Sequence, residues 1–309
     1  MNIFFYSKFS NQDQWIKSVK KKFKNHKIFT IKDKPNYNNI EVAIIFMMPD
    51  EILSKLVNLK IIFSLGAGVD HILKLPSYNN TPIIRIKDKN MTKRMSNHVL
   101  SQILTYQLKL NLYSSAQRKK IWLDEEYTLP NNDITIGILG LGFIGKYVGN
   151  FLKKLNYNVI GFKKNVIRRK KSFPVFTNNK LNYFIKKSDI IVSILPSTNE
   201  TNNFIDINFL NKMKKKAFLI NIGRGNSLNE DDLIKFLESN NDFYVSLDVF
   251  KKEPLHNKHK FWRHPNITIT PHVAALTDIE SSVESIYNKY IQFNKSGKIK
   301  SDVNLKKGY

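Results

Sequence analysis

Apolar residues in this chain come in short, dense runs, a pattern that suits strands buried on both faces of a parallel sheet. Asn2–Tyr6, Ile28–Ile31, Val42–Met48 (ending at Pro49), Ile61–Leu65 and Ile83–Ile86 are the first such runs. Between the first two, Trp15, Val19 and Phe23 recur at helical spacing and mark the inner face of a helix. The run Ile61–Leu65 leads into Gly66-Ala67-Gly68 and a short helix carrying Ile72 and Leu73. This alternation of strand and helix predicts a parallel α/β domain.

A different pattern begins near Met91. From there to Arg118 the chain has neither Gly nor Pro, and Val99, Ile103, Tyr106 and Leu110 share one side. One long helix is predicted, joining two domains and suited to be a hinge and a dimer element. Lys119–Asn132 is polar and irregular, and Trp122 within it is expected to pack locally.

After Asp133 the strand–helix alternation resumes. Ile134, Ile136, Ile138 and Leu139 form a buried strand, and Val148, Phe151, Leu152 and Leu155 line one face of the helix that follows. Further strands are predicted at Asn158–Phe162, Asp189–Leu195, Ala217–Ile222, Val245–Val249 and Ile267–Thr270. Helices are predicted at Leu181–Lys187, Ile207–Lys214 and Glu230–Glu238. A last helix at Ser281–Phe293 has room to return to the first domain, which would make that domain discontinuous.

Composition narrows the class. The chain has 309 residues, enough for about two domains. Its 42% hydrophobic and 24% charged residues are ordinary for a globular protein. No apolar run approaches the ~20 residues needed to cross a bilayer. The opening Met1–Lys8 is too short an apolar block for a signal peptide, and there is no cysteine for disulfide, thiolate-metal or nucleophile chemistry. A cytoplasmic enzyme without membrane contact is the expectation. The net charge of +25 is spread along the chain and accompanied by abundant Asn, so it reads as compositional drift. No nucleic-acid-binding motif comes with it, and no specific nucleic-acid partner is expected. His256, His259 and His264 lack helical i, i+4 spacing and carboxylate partners, so no metal site is expected. His98, on the long helix, is expected to be structural.

The clearest chemistry lies between the strand ending at Leu139 and the helix after it, in Gly140-Leu141-Gly142-Phe143-Ile144-Gly145. In a strand–G-x-G-x-x-G–helix unit the first glycine permits the turn and the second lets a pyrophosphate reach the backbone. The third lets helix and strand pack closely. The free N–H groups at the helix start then face the phosphates. NAD sites place an acid about 20 residues further on, at the end of the second strand. This chain has Phe162-Lys163-Lys164-Asn165 there, followed by Arg168 and Arg169. Lys163 and Lys164 suit a 2′-phosphate, so NADPH is expected, with NADH as the alternative.

Ligands in open α/β sheets bind beyond the carboxyl ends of strands. Arg224 in I-N-I-G-R-G, Asp248 in L-D-V-F, Glu253 in K-K-E-P and His272 in T-P-H-V-A-A fall at or near such ends. A guanidinium, a carboxylate and an imidazole would converge over one crevice. The alternatives are a surface Arg, a turn Glu before Pro254 and a His satisfied by backbone.

Taken in order, G-L-G-F-I-G, N-I-G-R-G, L-D-V-F-K-K-E-P-L and I-T-I-T-P-H-V-A-A resemble the D-isomer-specific 2-hydroxyacid dehydrogenases across essentially the whole chain. S-L-G-A-G-V-D-H-I, F-W-R-H-P and the terminal G-Y are most similar to the branch that reduces glyoxylate and hydroxypyruvate. The resemblance implies a Rossmann dinucleotide-binding domain, residues 96–276, inserted in a flavodoxin-like parallel α/β substrate domain, residues 1–95 plus 277–309. It also accounts for a fingerprint so far from the N-terminus.

The resemblance further implies that small 2-oxoacids are reduced by hydride transfer, glyoxylate to glycolate and hydroxypyruvate to glycerate, in a homodimer. Arg224 would bind the substrate carboxylate and carbonyl, for which a guanidinium fork is well shaped. His272 would be the general acid, and Glu253 would hold its other ring nitrogen. Backbone N–H groups of Leu65, Gly66, Ala67 and Gly68 would cradle the carboxylate. Asp248 would lie near the nicotinamide carboxamide or serve the structure. Cofactor contact is implied for Gly140, Gly142, Phe143, Ile144 and Gly145, for Lys163 and Lys164, and for Leu195, Pro196 and Thr201. It is implied as well for Ile222, Gly223, Asp248, His272 and Ala274. Two other readings stay open. One is a related enzyme for a larger 2-oxoacid, with Met47, Met48, Met91 and Trp122 reshaping the pocket. The other is a dinucleotide-sensing binding protein of the same fold, against which an intact Arg224, Glu253 and His272 argue.

Overall fold

A computed structural model describes residues 1–164, 172–305 and Gly308. The chain divides into two compact units, Met1–Met91 with Thr277–Tyr309, and Thr92–Leu276.

In the first unit β1 (Asn2–Ser7) is followed by α1 (Gln12–Lys22), β2 (Lys27–Phe29), β3 (Ile40–Phe46), α2 (Asp50–Leu53), β4 (Ile61–Ser64), α3 (Asp70–Leu73) and β5 (Ile83–Arg85). The sheet order is β2-β1-β3-β4-β5 with every pairing parallel, the flavodoxin-like order. All four residues of β4 are buried, as expected of a strand covered on both faces. After β1, each strand stops earlier than the apolar run that announces it. Ile31 is not in β2: the Thr30 N–H donates to the Asp33 carboxylate at 2.7 Å and starts a 3-10 turn that leaves Ile31 exposed. β3 ends at Phe46 because Met47 turns into the left-handed region, with φ of 50°.

α4 (Lys89–Gln107) carries the chain into the second unit. The predicted single helix is in fact two, because Lys109 adopts φ of 54° and α5 (Leu110–Arg118) starts after it. Tertiary contacts fix the break. The Tyr106 hydroxyl donates to the Lys216 carbonyl at 2.6 Å, and Gln107 donates to the Leu129 carbonyl and accepts from the Tyr157 hydroxyl. Burial pushes the Tyr106 phenol up to about 12.

The second unit continues with β6 (Thr135–Leu139), α6 (Phe143–Lys154), β7 (Asn158–Phe162), β8 (Val175–Phe176), α7 (Leu181–Lys187), β9 (Ile190–Ser193) and α8 (Ile207–Leu210). Then come β10 (Phe218–Asn221), α9 (Glu230–Glu238), β11 (Tyr244–Leu247) and β12 (Ile267–Ile269). The short edge strand β8 carries no period to announce it. The helix expected over Ile207–Lys214 ends at Leu210, where the chain turns into β10. The sheet order β12-β11-β10-β9-β6-β7-β8 is parallel throughout, and the direction of winding reverses between β6 and β9. This is the Rossmann order with one strand added. α9 is capped by Asn229, whose side chain accepts from the Asp232 N–H, and Glu230, Asp231 and Asp232 complement the positive end of the helix.

α10 (Ile279–Ser296) returns to the first unit. Asp278 caps its start, and Gly297, at φ of 65°, closes its end. Val283, Ile286, Tyr290 and Phe293 enter one core with Trp15, Val19, Phe23 and the strand residues Ile3, Val42 and Phe63. The first unit is therefore discontinuous in sequence. Among the described residues, no helix is long and apolar enough to cross a membrane.

Trp15 is 2% exposed, whereas Trp122 and Trp262 are 95% and 51% exposed, so Trp15 is the fluorophore that reports the first core. Phe293→Ala should destabilise that unit by about 3–5 kcal/mol. The measurement is urea unfolding followed by fluorescence, and an unchanged transition of the buried tryptophan would show that α10 is dispensable to this core.

Candidate active site

Three glycines of the fingerprint are required for three different reasons. Gly140 has φ of 104°, and a Cβ there would fall 2.7 Å from the Ile194 carbonyl oxygen, so conformation and space both demand glycine. A Cβ on Gly145 would lie 2.1 Å from the Gly140 carbonyl oxygen, which lets α6 lie directly on the turn. Among the described residues, a Cβ on Gly142 would meet no atom within 4 Å. Packing among the described residues does not ask for glycine there; a ligand approaching the backbone would. Gly142 is also the N-cap of α6, so the N–H groups of Phe143, Ile144 and Gly145 head the helix without intrahelical partners. Bare backbone donors at a positive helix end fit a pyrophosphate.

The neighbouring loops close around this turn. A Cβ on Gly223 would lie 2.6 Å from the Leu195 backbone, which brings the segments after β9 and β10 edge to edge. Ile222 and Leu195 are buried. Thr201 donates its hydroxyl to the Pro196 carbonyl at 2.6 Å and closes the loop after β9. At the end of β7, Phe162 is buried against Phe184 and Phe204, and the Lys163 N–H is held by the Phe176 carbonyl. Lys164 Nζ lies 2.7 Å from a carboxylate oxygen of Glu200. Asn165, Arg168 and Arg169 lie outside the described residues.

Arg224, Glu253 and His272 follow β10, β11 and β12, three adjacent strands. Glu253 and His272 meet: Oε2 is 2.7 Å from Nδ1. The other oxygen, Oε1, accepts from the Phe250 N–H at 2.9 Å. A carboxylate can only accept, so Nδ1 carries the proton and Nε2 is left as the outward nitrogen. The His272 side chain is 50% exposed, so that nitrogen is open to a substrate. Burial by itself would push the Glu253 carboxyl up. The His272 hydrogen bond, the Phe250 N–H and the charges of His272 and Arg224 outweigh it and hold the carboxyl below its ordinary value. Arg224 Nη1 donates to the Gly223 carbonyl at 2.9 Å. Its loop packs so tightly on the next that a Cβ on Gly225 would fall 1.9 Å from the Phe250 carbonyl carbon.

His272 stands at φ of 55°, unusual for a non-glycine residue, and Asp248 holds it there. The Asp248 carbonyl accepts from the His272 N–H at 2.8 Å. Its buried carboxylate accepts from the Thr270 hydroxyl at 2.6 Å and from the N–H groups of Val273 and Ala274 at 2.9 and 3.0 Å. Thr270 is a contributor that sequence reasoning missed, although T-P-H places it two residues before the imidazole. His98 stands near the same carboxylate. Burial pushes its pKa down, the Asp248 charge pushes it back up, and the net shift is downward.

Other expected contributors divide. In the first unit, Leu65 is not available as an anion donor: its N–H serves the Ile45 carbonyl at 2.9 Å. The Gly66 N–H reaches the Ser64 hydroxyl at 3.3 Å, while those of Ala67 and Gly68 carry no hydrogen bond among the described residues. Trp122 does not pack locally, since it is almost fully exposed. His256, His259 and His264 each use Nδ1 to accept the N–H two residues on, from Lys258, Phe261 and Asn266. Among the described residues no group of three or more His, Asp or Glu is placed to hold a metal ion.

A Rossmann sheet with an open fingerprint turn, and an Arg–Glu–His set at three strand ends, define a dinucleotide-dependent oxidoreductase. The chain belongs to the D-isomer specific 2-hydroxyacid dehydrogenases: the model of that family's NAD binding domain matches residues 100–274. A glyoxylate/hydroxypyruvate reductase A of Photorhabdus laumondii subsp. laumondii is 31% identical over 100% of both chains. Among solved structures, the NADPH-dependent glyoxylate/hydroxypyruvate reductase of Sinorhizobium meliloti, in complex with NADP and sulfate, is 28% identical. It superposes with a TM-score of 0.91 over 100% of this chain and 99% of that one. A D-isomer specific 2-hydroxyacid dehydrogenase of Xanthobacter autotrophicus Py2, in complex with NADPH and MES, is 25% identical. Its TM-score is 0.92, with the same coverage.

The two fingerprint glycines should respond differently to an added methyl group. Gly145→Ala should cost about 1–3 kcal/mol of stability by overpacking. Gly142→Ala should cost less than about 1 kcal/mol yet weaken dinucleotide binding by about tenfold or more. Chemical denaturation and cofactor titration of both variants test this, and normal binding by Gly142→Ala would remove the ligand as the reason for glycine there.

Proposed function

We propose that this chain uses NADPH to reduce small 2-oxoacids, glyoxylate and hydroxypyruvate foremost, to 2-hydroxyacids. The observation that carries the reading is the Glu253–His272 pair, which ties one ring nitrogen and leaves the other clear of the carboxylate, while the Arg224 charge acts on the same Glu253. A bound nicotinamide supplies the hydride. Arg224 binds the substrate's carboxylate and carbonyl oxygens. His272 gives the proton on Nε2 to the carbonyl oxygen, and Glu253 keeps the ring turned for that transfer. Asp248 positions the loop that carries the ring. Lys163 and Lys164, where an NAD-type site has an acid, bind the 2′-phosphate.

His272→Gln should lower kcat by about 10²–10⁴ while leaving NADPH affinity nearly intact. The wild-type enzyme should turn over glyoxylate and hydroxypyruvate faster than pyruvate or phenylpyruvate, and faster with NADPH than with NADH. Steady-state assays over that panel test the reading. Faster turnover of phenylpyruvate, or a variant keeping half its rate, would refute it.

The working form is a homodimer, and the surface that supports this lies on the second unit. Leu108, Leu110, Leu112, Ile121, Trp122, Tyr127 and Leu129 are all exposed within one stretch of chain. Basic Arg118, Lys119 and Lys120 stand a few residues from acidic Asp124, Glu125 and Glu126, also exposed. A two-fold axis sets each cluster against the other's counterpart, so a chain of high net positive charge can still pair with itself. Trp122→Asp should convert the dimer to monomer in sedimentation velocity, and a dimer unchanged by it would place the interface elsewhere.

A further inference from the structure

Lys164 follows β7, and Glu200 lies in the loop after β9; these two strands flank β6 on opposite sides. Their side chains nonetheless meet, Nζ to Oε1, at 2.7 Å. An ion pair joining those two loops passes across the carboxyl end of β6, where the fingerprint turn lies and where nucleotides bind in sheets of this order. The Glu200 backbone is held in place. Thr201 Oγ1 donates to the Pro196 carbonyl at 2.6 Å and accepts the Thr198 N–H at 2.9 Å, which closes the loop on itself. Both side chains stay open to water, at 53% and 68% exposure, so the pairing is weak enough to be exchanged.

We infer that Glu200 competes with the cofactor's 2′-phosphate for Lys164 and thereby limits how strongly this enzyme prefers phosphorylated dinucleotide. The inference rests on the NADPH reading above. An ammonium group pairs with a carboxylate or a phosphate, and the more highly charged phosphate displaces Glu200. The displaced carboxylate remains close by as a like charge, so NADPH binds against a repulsion. A ribose 2′-hydroxyl has no charge to exchange and leaves the pair intact. Glu200 therefore lowers affinity for one cofactor and not for the other.

Calorimetric titration of the full-length protein with adenosine 2′,5′-bisphosphate and with adenosine 5′-monophosphate isolates the phosphate without any turnover. Glu200→Gln should bind the bisphosphate about two- to five-fold more tightly and the monophosphate unchanged. The gain should shrink at about 0.5 M salt and in a Lys164→Ala background. Equal tightening of both ligands, or of neither, overturns the role of Glu200. If the wild type binds the two ligands alike and Lys164→Ala changes neither, the NADPH reading fails and this inference fails with it.

Discussion

Parallel pairing is the constraint on which the rest of this molecule depends. Because every strand pairing among the described residues is parallel, all the carboxyl ends of a sheet lie along one edge. Groups scattered from Gly140 to His272 are collected on that edge of the second sheet with no local sequence relation among them. The same geometry demands that successive loops pass one another closely. It is met where Gly223 lies on Leu195 and Gly225 on Phe250, contacts that leave no room for a side chain. Those glycines serve packing, and Gly225 thereby brings the Arg224 loop against the segment that leads to Glu253.

The imidazole is positioned by two carboxylates with different duties. Glu253 works at the ring, half-buried and held below its ordinary pKa by the groups that surround it. Asp248 works beneath the ring, on the backbone, where three donors and one carbonyl contact keep His272 in the left-handed region. Backbone strain of this kind persists only where the surroundings over-determine it. An acid on a frayed loop would give up orientation for entropy; here the loop is tied at Thr270, His272, Val273 and Ala274.

Charge sets the character of the cofactor end. Most lysines of this chain are solvated background, and their number alone says nothing about phosphate. What distinguishes Lys163 and Lys164 is position: they follow a buried aromatic at the end of β7, where a hydrogen-bond acceptor for a free ribose hydroxyl would otherwise stand. The Lys164–Glu200 contact shows that position in turn has neighbours, and that an acid has been placed near this site from another loop.

Much of this was legible in the linear chain. Dense apolar runs become strands when both faces are covered, and the strands from β6 to β12, except β8, follow from that rule. So does the fingerprint turn, because strand, glycines and helix are contiguous. Local patterns could not reveal where helices break or strands stop. Lys109 interrupts a stretch of good helix formers because Tyr106 and Gln107 are held by residues far along the chain. Ile31 leaves its run because the N–H of Thr30, just before it, is taken by the Asp33 carboxylate. The sequence by itself determined which groups are present at strand ends, and hence the chemistry they can perform. The Glu253–His272 pairing was already implied by the resemblance, but other contacts came only from the fold in space: that Asp248 takes the loop, that Leu65 is taken by Ile45, and that Glu200 reaches Lys164. The physical reason is that such contacts act between atoms a few ångströms apart in space, whereas spacing along the chain constrains only a residue's neighbours on its own helix or strand.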